Sequence, residues 1–452
     1  MISKSFIRPF RRAAVQIATF TATAFFLPLC ALAASAPTGS VIAFPGAVGY
    51  AAHTAGGRGG QIIRVTTLAP DGPGSLVAAL ETKGPRVIVF EVGGVIDLQM
   101  RELKITEPFL TVAGQTAPSP GITLIRTGFD ILTHDVILQH IRIRTGSGGN
   151  ARTGRWDPDA ISTVDAYNII VDHCSLTWAI DENLSASGPR FTGANPDEWR
   201  KAVSHSITFS NNLIAEGLAH STHPKGEHSK GSLIHDNVND ILIIGNLYAH
   251  NYERNPLFKG GVRGMVINNL IYDPGPRAVH YNLIPEEWYG RRYETGRMAL
   301  MGNVLRAGPS TPAQIALFML GGSGDIELYE KDNIAVDRLG NPLPLTGRYT
   351  TSKARIIPAA RPELPFGVTV LPANEVEEAV IRNAGARPWD RDAIDSRIVA
   401  DTVEGRGQII DSETQVGGYP QYAETRRAFD EREWDLATMA PKVAPQKQNI
   451  PR

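Results

Sequence analysis

The chain has 452 residues, of which 45 are Lys or Arg, 46 are Asp or Glu and 42% are hydrophobic. This apolar content is enough for a sizeable core and excludes disorder for most of the chain. The formal net charge of −1 gives no basic field of the kind that binds nucleic acid, so any partner must be recognised by a local site.

The N-terminal segment has the pattern of a secretory signal. Four cations between residues 4 and 12 precede an apolar stretch over 13–32 and the small-residue pattern Ala31-Leu32-Ala33. We therefore predict that residues 1–33 are a signal peptide and that the mature protein is secreted or periplasmic. The pair Arg11-Arg12 leaves both the general and the twin-arginine export routes open. No later apolar run is long enough to span a bilayer, so no membrane association is expected after cleavage.

A short apolar strand that ends in a polar residue recurs from about residue 121. Strands of this kind, joined by irregular segments without helical periodicity, favour a parallel β-helix over a doubly wound sheet. A β-sandwich is the alternative, but it needs frequent hairpin signals, and Asp71-Gly72 is the clear one. We predict an all-β solenoid over residues 34–344. Steps of 33, 39, 34, 23 and 34 residues separate the polar ends that we align, which are His140, His173, Asn212, Asn246, Asn269 and Asn303.

The aligned asparagines are expected to occupy matching turns. There, Asn can adopt left-handed backbone and hydrogen-bond its counterpart in the next coil. Beyond residue 345 the strands give way to Pro-rich connections and two helical segments, near 374–385 and 390–403. The absence of a strong apolar run favours a C-terminal arm over a separate domain. We predict that residues 345–452 pack along the solenoid, with a loose tail from about residue 441.

Acidic residues stand before and after the strand around residue 170. Asp157-Pro158-Asp159 precedes it and Asp181-Glu182 follows it, so successive coils can bring these carboxylates together. Clustered oxygen ligands suit a hard cation such as calcium. Two other interpretations stay open at this point: the acids form turns, or two of them are the paired carboxylates of a glycosidase.

Cationic and imidazole side chains follow downstream. Arg254 and Lys259 flank Pro256, and the loop 220–231 contains Lys225 and His228, a density that could hold an anionic substrate. A solvated loop is the alternative. The three histidines of that loop could suggest zinc, but their spacing follows no specific zinc pattern.

The most specific motif is Asp172-His173-Cys174-Ser175-Leu176, followed by Trp178 and Asp181-Glu182. Together with Asp157-Pro158-Asp159 and Phe44-Pro45-Gly46-Ala47, it resembles the pectate lyases of polysaccharide lyase family one, in particular their secreted bacterial branch. The resemblance covers about residues 42–337. It implies a right-handed parallel β-helix that cleaves polygalacturonate by β-elimination, with calcium bridging enzyme and substrate carboxylates.

Site roles follow from the resemblance, position by position. Asp157, Asp159 and Asp181 match calcium ligands. Ser185 is a departure, because many members of the family have another Asp there. Arg254 matches the catalytic base.

Substrate binding is expected from Lys259, which stands where a second Arg is usual, and from Lys225 and His228 of the upstream loop. Lys225 is the candidate for a family Lys that has no secure match. We expect a monomer whose partner is an anionic polysaccharide. Two rival functions remain: a polygalacturonase-type hydrolase, although its Gly-His-Gly and Arg-Ile-Lys stretches are absent, and a non-catalytic polysaccharide-binding β-helix, which would leave Arg254 without a chemical role.

Overall fold

The computed structural model describes residues 41–149 and 155–443. The predicted signal peptide lies outside these residues, as does most of the predicted loose tail. In the described part of the chain, nearly all strands belong to three parallel sheets that run side by side along one axis. The chain enters the three sheets in turn, so each coil adds one strand to each sheet. Because parallel crossover connections are right-handed, the predicted all-β, right-handed parallel β-helix is confirmed.

We name the sheet with the most strands the long sheet, and the other two by the cleft and the C-terminal arm that they contact. The long sheet contains Gln61–Val65, Arg86–Phe90, Leu110–Ala113, His134–Gln139, Tyr167–Asp172, His205–Ser210, Asn239–Ile244, Arg263–Ile267, Gly296–Met301, Ile326–Lys331 and Ile356–Pro358. The cleft sheet contains Leu103–Ile105, Phe129–Ile131, Ile161–Val164, Leu184–Ser187, Leu233–Ile234, Leu257–Lys259, Val279–Leu283, Phe318–Gly322 and Thr346–Arg348. The arm sheet contains Val92–Asp97, Ile122–Ile125, Ile141–Arg144, Ser175–Thr177, Leu213–Ala215, Leu247–Ala249, Leu270–Tyr272, Val304–Arg306 and Ile334–Val336, with Thr425–Arg426 added antiparallel at its edge.

The core is built from columns of apolar residues in register. In the long sheet, residue 110 pairs with 136, 136 with 169, 169 with 207, and 207 with 241. All of these side chains are fully buried: Leu110, Val136, Ile169, Ile207 and Ile241. Each coil therefore covers the apolar face of the one below it, which is why β-branched residues recur at these positions.

The predicted hydrogen bonds of the asparagine ladder are confirmed, but the left-handed backbone falls on the residue before each asparagine, for example Asn211 with a φ of 54° and Asn268 with a φ of 52°. Side-chain amides link Asn212 to Asn246 at 3.0 Å and Asn246 to Asn269 at 2.9 Å, and the chain of contacts continues through Asn303. The predicted alignment needs a correction, because the sheet register pairs residue 139 with 172 and residue 172 with 210, so His140 and His173 both stand level with residue 211. Cys174 takes the ladder position, and its backbone N–H donates to the side-chain oxygen Oδ1 of Asn212 at 2.8 Å.

Four α-helices lie outside the ladders of the described residues. They are α1 (Leu76–Leu80), α2 (Pro196–Ala202), α3 (Ala373–Asn383) and α4 (Ala393–Glu404). Short 3-10 helices span Gly114–Thr116, Pro285–Trp288, Glu413–Val416 and Glu431–Glu433, and a small two-stranded sheet pairs Trp434–Asp435 with Ala440–Pro441. Helices α3 and α4 match the two segments predicted from the sequence, and α4 ends at Gly405 with a φ of 72°, a left-handed conformation that glycine adopts without strain.

Buried ion pairs join α4 to the arm sheet. The Arg144 guanidinium lies 2.7 Å from the Asp395 carboxylate and 3.1 Å from that of Asp392, and Arg142 contacts the same two acids. All four side chains are fully buried. Apolar residues of α3, such as Val376 and Val380, pack with Leu247 and Leu270 of the arm sheet. The strands of the long and cleft sheets continue past residue 344, up to Pro358.

Candidate active site

A cleft of about 220 Å³ lies along the cleft sheet. Its wall carries the cations Lys225, Arg254, Lys259 and Arg277 and the acids Asp181, Glu182, Glu253 and Glu287. These charged side chains come from several coils, and the parallel ladder places them side by side. A cleft with both signs of charge can hold an anionic chain and a cation at the same time.

The acidic cluster forms where two successive coils enter the cleft sheet. Ser162 pairs in register with Ser185, which sets Asp159 of one coil beside Glu182 of the next. The Glu182 backbone N–H donates to the Asp159 carboxylate at 2.8 Å. Carboxylate oxygens of Asp159, Asp181 and Glu182 all lie within 4.8 Å of one another.

The electrostatics of this cluster suit a hard cation. Burial raises the pKa of Asp159 well above its ordinary value, and the charge of Asp181 raises it further. The Ser185 hydroxyl donates to Asp159 and only partly opposes this effect. Because three close carboxylates repel one another and supply only oxygen donors, the set fits calcium.

Asp157 does not join this cluster. Its side chain is exposed, and it belongs to none of the groups of potential metal-ligating residues found in the described part of the chain. Glu182 takes the third place in the cluster instead, because the coil register brings the residue after Asp181 over Asp159.

His228 lies behind Asp181 and does not line the cleft. Its Nε2 is 2.6 Å from the Asp181 carboxylate, and its ring stacks on His223 at 3.6 Å between centroids. Burial raises the pKa of Asp181, but the hydrogen bond and charge of His228, together with the charges of Arg254 and His223, outweigh burial, so the pKa of Asp181 lies below its ordinary value. Ligand atoms of Asp181, His223 and His228 also lie within 4.8 Å of one another, but the two rings stack nearly parallel, with 12° between their planes, an arrangement that does not aim both in-plane lone pairs at one ion.

Arg254 stands two coils beyond Glu182, directly after Glu253. Its backbone has a φ of 63°, and its guanidinium donates to the Glu182 carboxylate. Burial lowers the pKa of Arg254 below its ordinary value, while the charges of Asp181 and Asp159 oppose that change. The structure therefore brings Arg254 together with the acidic cluster.

The two predicted substrate-binding lysines lie on the same cleft. The Lys259 ammonium contacts the Glu287 carboxylate at 2.6 Å and is otherwise buried. Lys225 is exposed and lines the opening, so it is free to meet a ligand from solvent.

Sequence reasoning missed Arg277, which lies one coil beyond Arg254. Its guanidinium contacts Glu253 and covers the ring of Tyr349 at 4.8 Å. The spacing of 23 residues between positions 254 and 277 equals the shortest step of the aligned repeat. That step could have predicted that Arg277 lies next to Arg254 in the following coil. The same step places Leu257 level with His280.

Comparison with known proteins identifies the family. The chain is 31% identical over 387 residues to "Probable pectate lyase C" of Aspergillus flavus, covering 84% of this chain and 82% of that protein. It is 30% identical over 397 residues to the protein of the same name from Emericella nidulans, covering 87% and 82%. The chain belongs to the pectate lyase family. No protein-family model matches the chain.

Membership of the pectate lyase family confirms the predicted enzyme class, a polysaccharide lyase. Among solved structures, the major allergen from cedar pollen matches with 17% identity and a TM-score of 0.49, covering 75% of this chain and 92% of that one. The two relatives named above are fungal, so the predicted placement of this pectate lyase in the bacterial branch stays a prediction. Within the described residues, no helix has the length and apolarity needed to cross a membrane.

Proposed function

We propose that this member of the pectate lyase family is a secreted, calcium-dependent enzyme that cleaves polygalacturonate by β-elimination and releases unsaturated oligouronates. The observation that carries the proposal is the placement of Arg254 between an acidic cluster and a set of cations within one cleft. Relatives named pectate lyase support the substrate class.

The proposed calcium ligands are Asp159, Asp181 and Glu182, whose carboxylates come within one ion's reach of one another. Asp157 keeps its predicted role as a further ligand only as a hypothesis, to be tested by substitution. Bound calcium would supply positive charge where a uronate carboxylate becomes more negative as the proton α to it leaves. Ser185 offers a hydroxyl at the place of a further acid and leaves one negative charge fewer at the site.

Arg254 is the proposed base. Burial lowers its pKa, which increases the neutral fraction that can take the proton. Its contact with Glu182 holds the guanidinium beside the proposed calcium ligands. Lys225, Lys259 and Arg277 line the same cleft and are suited to hold the carboxylates of neighbouring uronate residues. His228 was predicted to bind substrate, and its contact with Asp181 favours a role behind the metal site.

Ultraviolet absorbance of the product tests this function. Incubation with polygalacturonate and calcium should produce the chromophore of an unsaturated uronate together with new reducing ends. New reducing ends without the chromophore would favour the hydrolase alternative, in which the carboxylate cluster acts in hydrolysis. Binding of the polymer with neither product would favour the non-catalytic alternative. The monomeric state and the secretion of the protein stay predictions, which gel filtration and fractionation of the producing cells can check.

A further inference from the structure

His280 is a buried imidazole on the wall of the cleft that none of the steps above uses. It lies on the strand Val279–Leu283 of the cleft sheet, is 2% exposed and lines the cleft. Its ring packs edge-on against Tyr349 with 5.6 Å between centroids. A nine-tenths buried polar ring at a ligand cleft needs a partner for each nitrogen, or it loses the hydrogen bonds that water would have supplied.

The two nitrogens of His280 have different surroundings. Nδ1 lies 3.3 Å from the backbone carbonyl oxygen of Ala278, which can only accept, so Nδ1 carries the proton. The hydrogen bonds of the described residues include none to Nε2, and this atom is not fully enclosed by protein, so it opens onto the cleft that His280 lines. In the neutral ring Nε2 is therefore a bare acceptor.

The charges around His280 keep the ring neutral. Burial lowers its pKa well below the ordinary value, and Arg277, Arg254 and Lys230 lower it further. A base this weak is a poor candidate for removing a proton from carbon. A neutral acceptor among cations instead complements a ligand that brings hydroxyl donors together with carboxylates, as a uronate does.

We propose that Nε2 of His280 accepts a hydrogen bond from a ring hydroxyl of the bound uronate, so that His280 determines specificity for sugars whose hydroxyl is free. The cations then recognise the carboxylates of the polymer, and His280 recognises one hydroxyl. An O-acetyl group at that hydroxyl removes the donor and adds bulk, so the cleft should reject it. This inference rests on the proposed function, because it assumes a uronate ligand.

Steady-state kinetics with two substrates tests this role. The substrates are polygalacturonate and its O-acetylated form, and the variants are His280→Phe, which keeps a ring but no acceptor, and His280→Gln, which can offer an amide oxygen. His280→Phe should raise KM for polygalacturonate by about tenfold, the value of one neutral hydrogen bond, while kcat changes little. It should also reduce the discrimination against the acetylated polymer, and His280→Gln should recover part of the affinity. His134→Phe, on the long sheet away from the cleft, is the matched control and should match wild type.

An unchanged KM and unchanged discrimination in His280→Phe would overturn the proposal. If that variant does not fold, the ¹⁵N shift of Nε2 in the wild-type protein decides, because it should move when trigalacturonate binds and stay fixed if no hydrogen bond forms. If wild type makes no unsaturated product, the proposed function fails, while the same nitrogen shift still reports whether His280 meets a uronate hydroxyl.

Discussion

The guanidinium of Arg254 donates to the carboxylate of Glu182, although 72 positions separate the two residues in the chain. The contact spans two coil steps. Isolated β-bridges join Lys230 to Glu182 in the preceding coil and to Glu253 in the following coil. This contact holds the proposed base, Arg254, next to one of the proposed calcium ligands, Glu182.

Arg254→Lys should separate binding from chemistry. Lys keeps the positive charge but replaces the planar fork with a point ammonium, so the contact with Glu182 and the position of the base nitrogen both change. Turnover should fall by about a hundredfold or more, the size expected for losing a positioned base. Calcium affinity by calorimetry should stay nearly unchanged. A raised KM with intact turnover would mean that Arg254 only holds substrate.

Calcium binding should follow the structural cluster. Chelator should abolish activity and added calcium should restore it. Asp159→Asn and Asp181→Asn should each lower the affinity for calcium by roughly tenfold or more, because the number of charged ligands sets that affinity. Asp157→Asn should have a smaller effect, since Asp157 is exposed and outside the cluster. Calorimetry on the three variants checks this order, and full activity in excess chelator would contradict the metal assignment.

Ser185→Asp should tighten calcium binding while destabilising the calcium-free protein. The hydroxyl of Ser185 donates to Asp159, whose pKa is already raised by burial and by Asp181. Without calcium, a carboxylate in place of that donor repels the Asp159 carboxylate. With calcium bound, the same carboxylate adds a ligand. Thermal melting with and without calcium should show a larger calcium-induced gain than in wild type. Equal gains would mean that position 185 does not face the ion.

Stability at acid pH should depend on Asp392. Burial alone would raise its pKa, but Arg144 and Arg142 lower it to about 2. A lowered folded-state pKa gives stabilisation that is complete above the ordinary Asp value, about 4, and is lost as pH falls toward 2. Asp392→Asn should lose this part of the acid dependence and lower the free energy of unfolding at pH 7 by about 3 kcal/mol, since the two cations remain buried. Urea unfolding at several pH values measures both effects.

The asparagine ladder should contribute strongly to stability. Asn246 accepts from the side chain and backbone of Asn212, and it donates to Asn269 and to the backbone of Phe209. Asn246→Ala leaves buried groups without partners, so the free energy of unfolding should fall by about 2 to 4 kcal/mol. Asn341→Ala, at an exposed turn, should change the free energy by less than about 0.5 kcal/mol. Similar losses in both variants would mean that the ladder contributes no more than a surface turn.

The sequence by itself determined the repeat. Short apolar strands that end in a polar residue recur at a nearly regular step. This recurrence predicts a solenoid, because each coil repeats the same strand and turn. The two helices of the arm were also predictable, because helical signals are local. The alignment of His173 with Asn212 was wrong by one position, because a polar side chain at a strand end does not tell which of two adjacent turn positions it occupies.

The tertiary structure decided which charged residues meet. Asp157 and Glu182 are equally acidic in the sequence, yet only Glu182 joins Asp159 and Asp181, because the backbone pairing of two successive coils places Glu182 beside Asp159. Arg277 and His280 carry no motif and enter the cleft through the 23-residue coil. Local patterns specify strands and turns, whereas a cleft made by several coils depends on contacts between residues far apart in the chain.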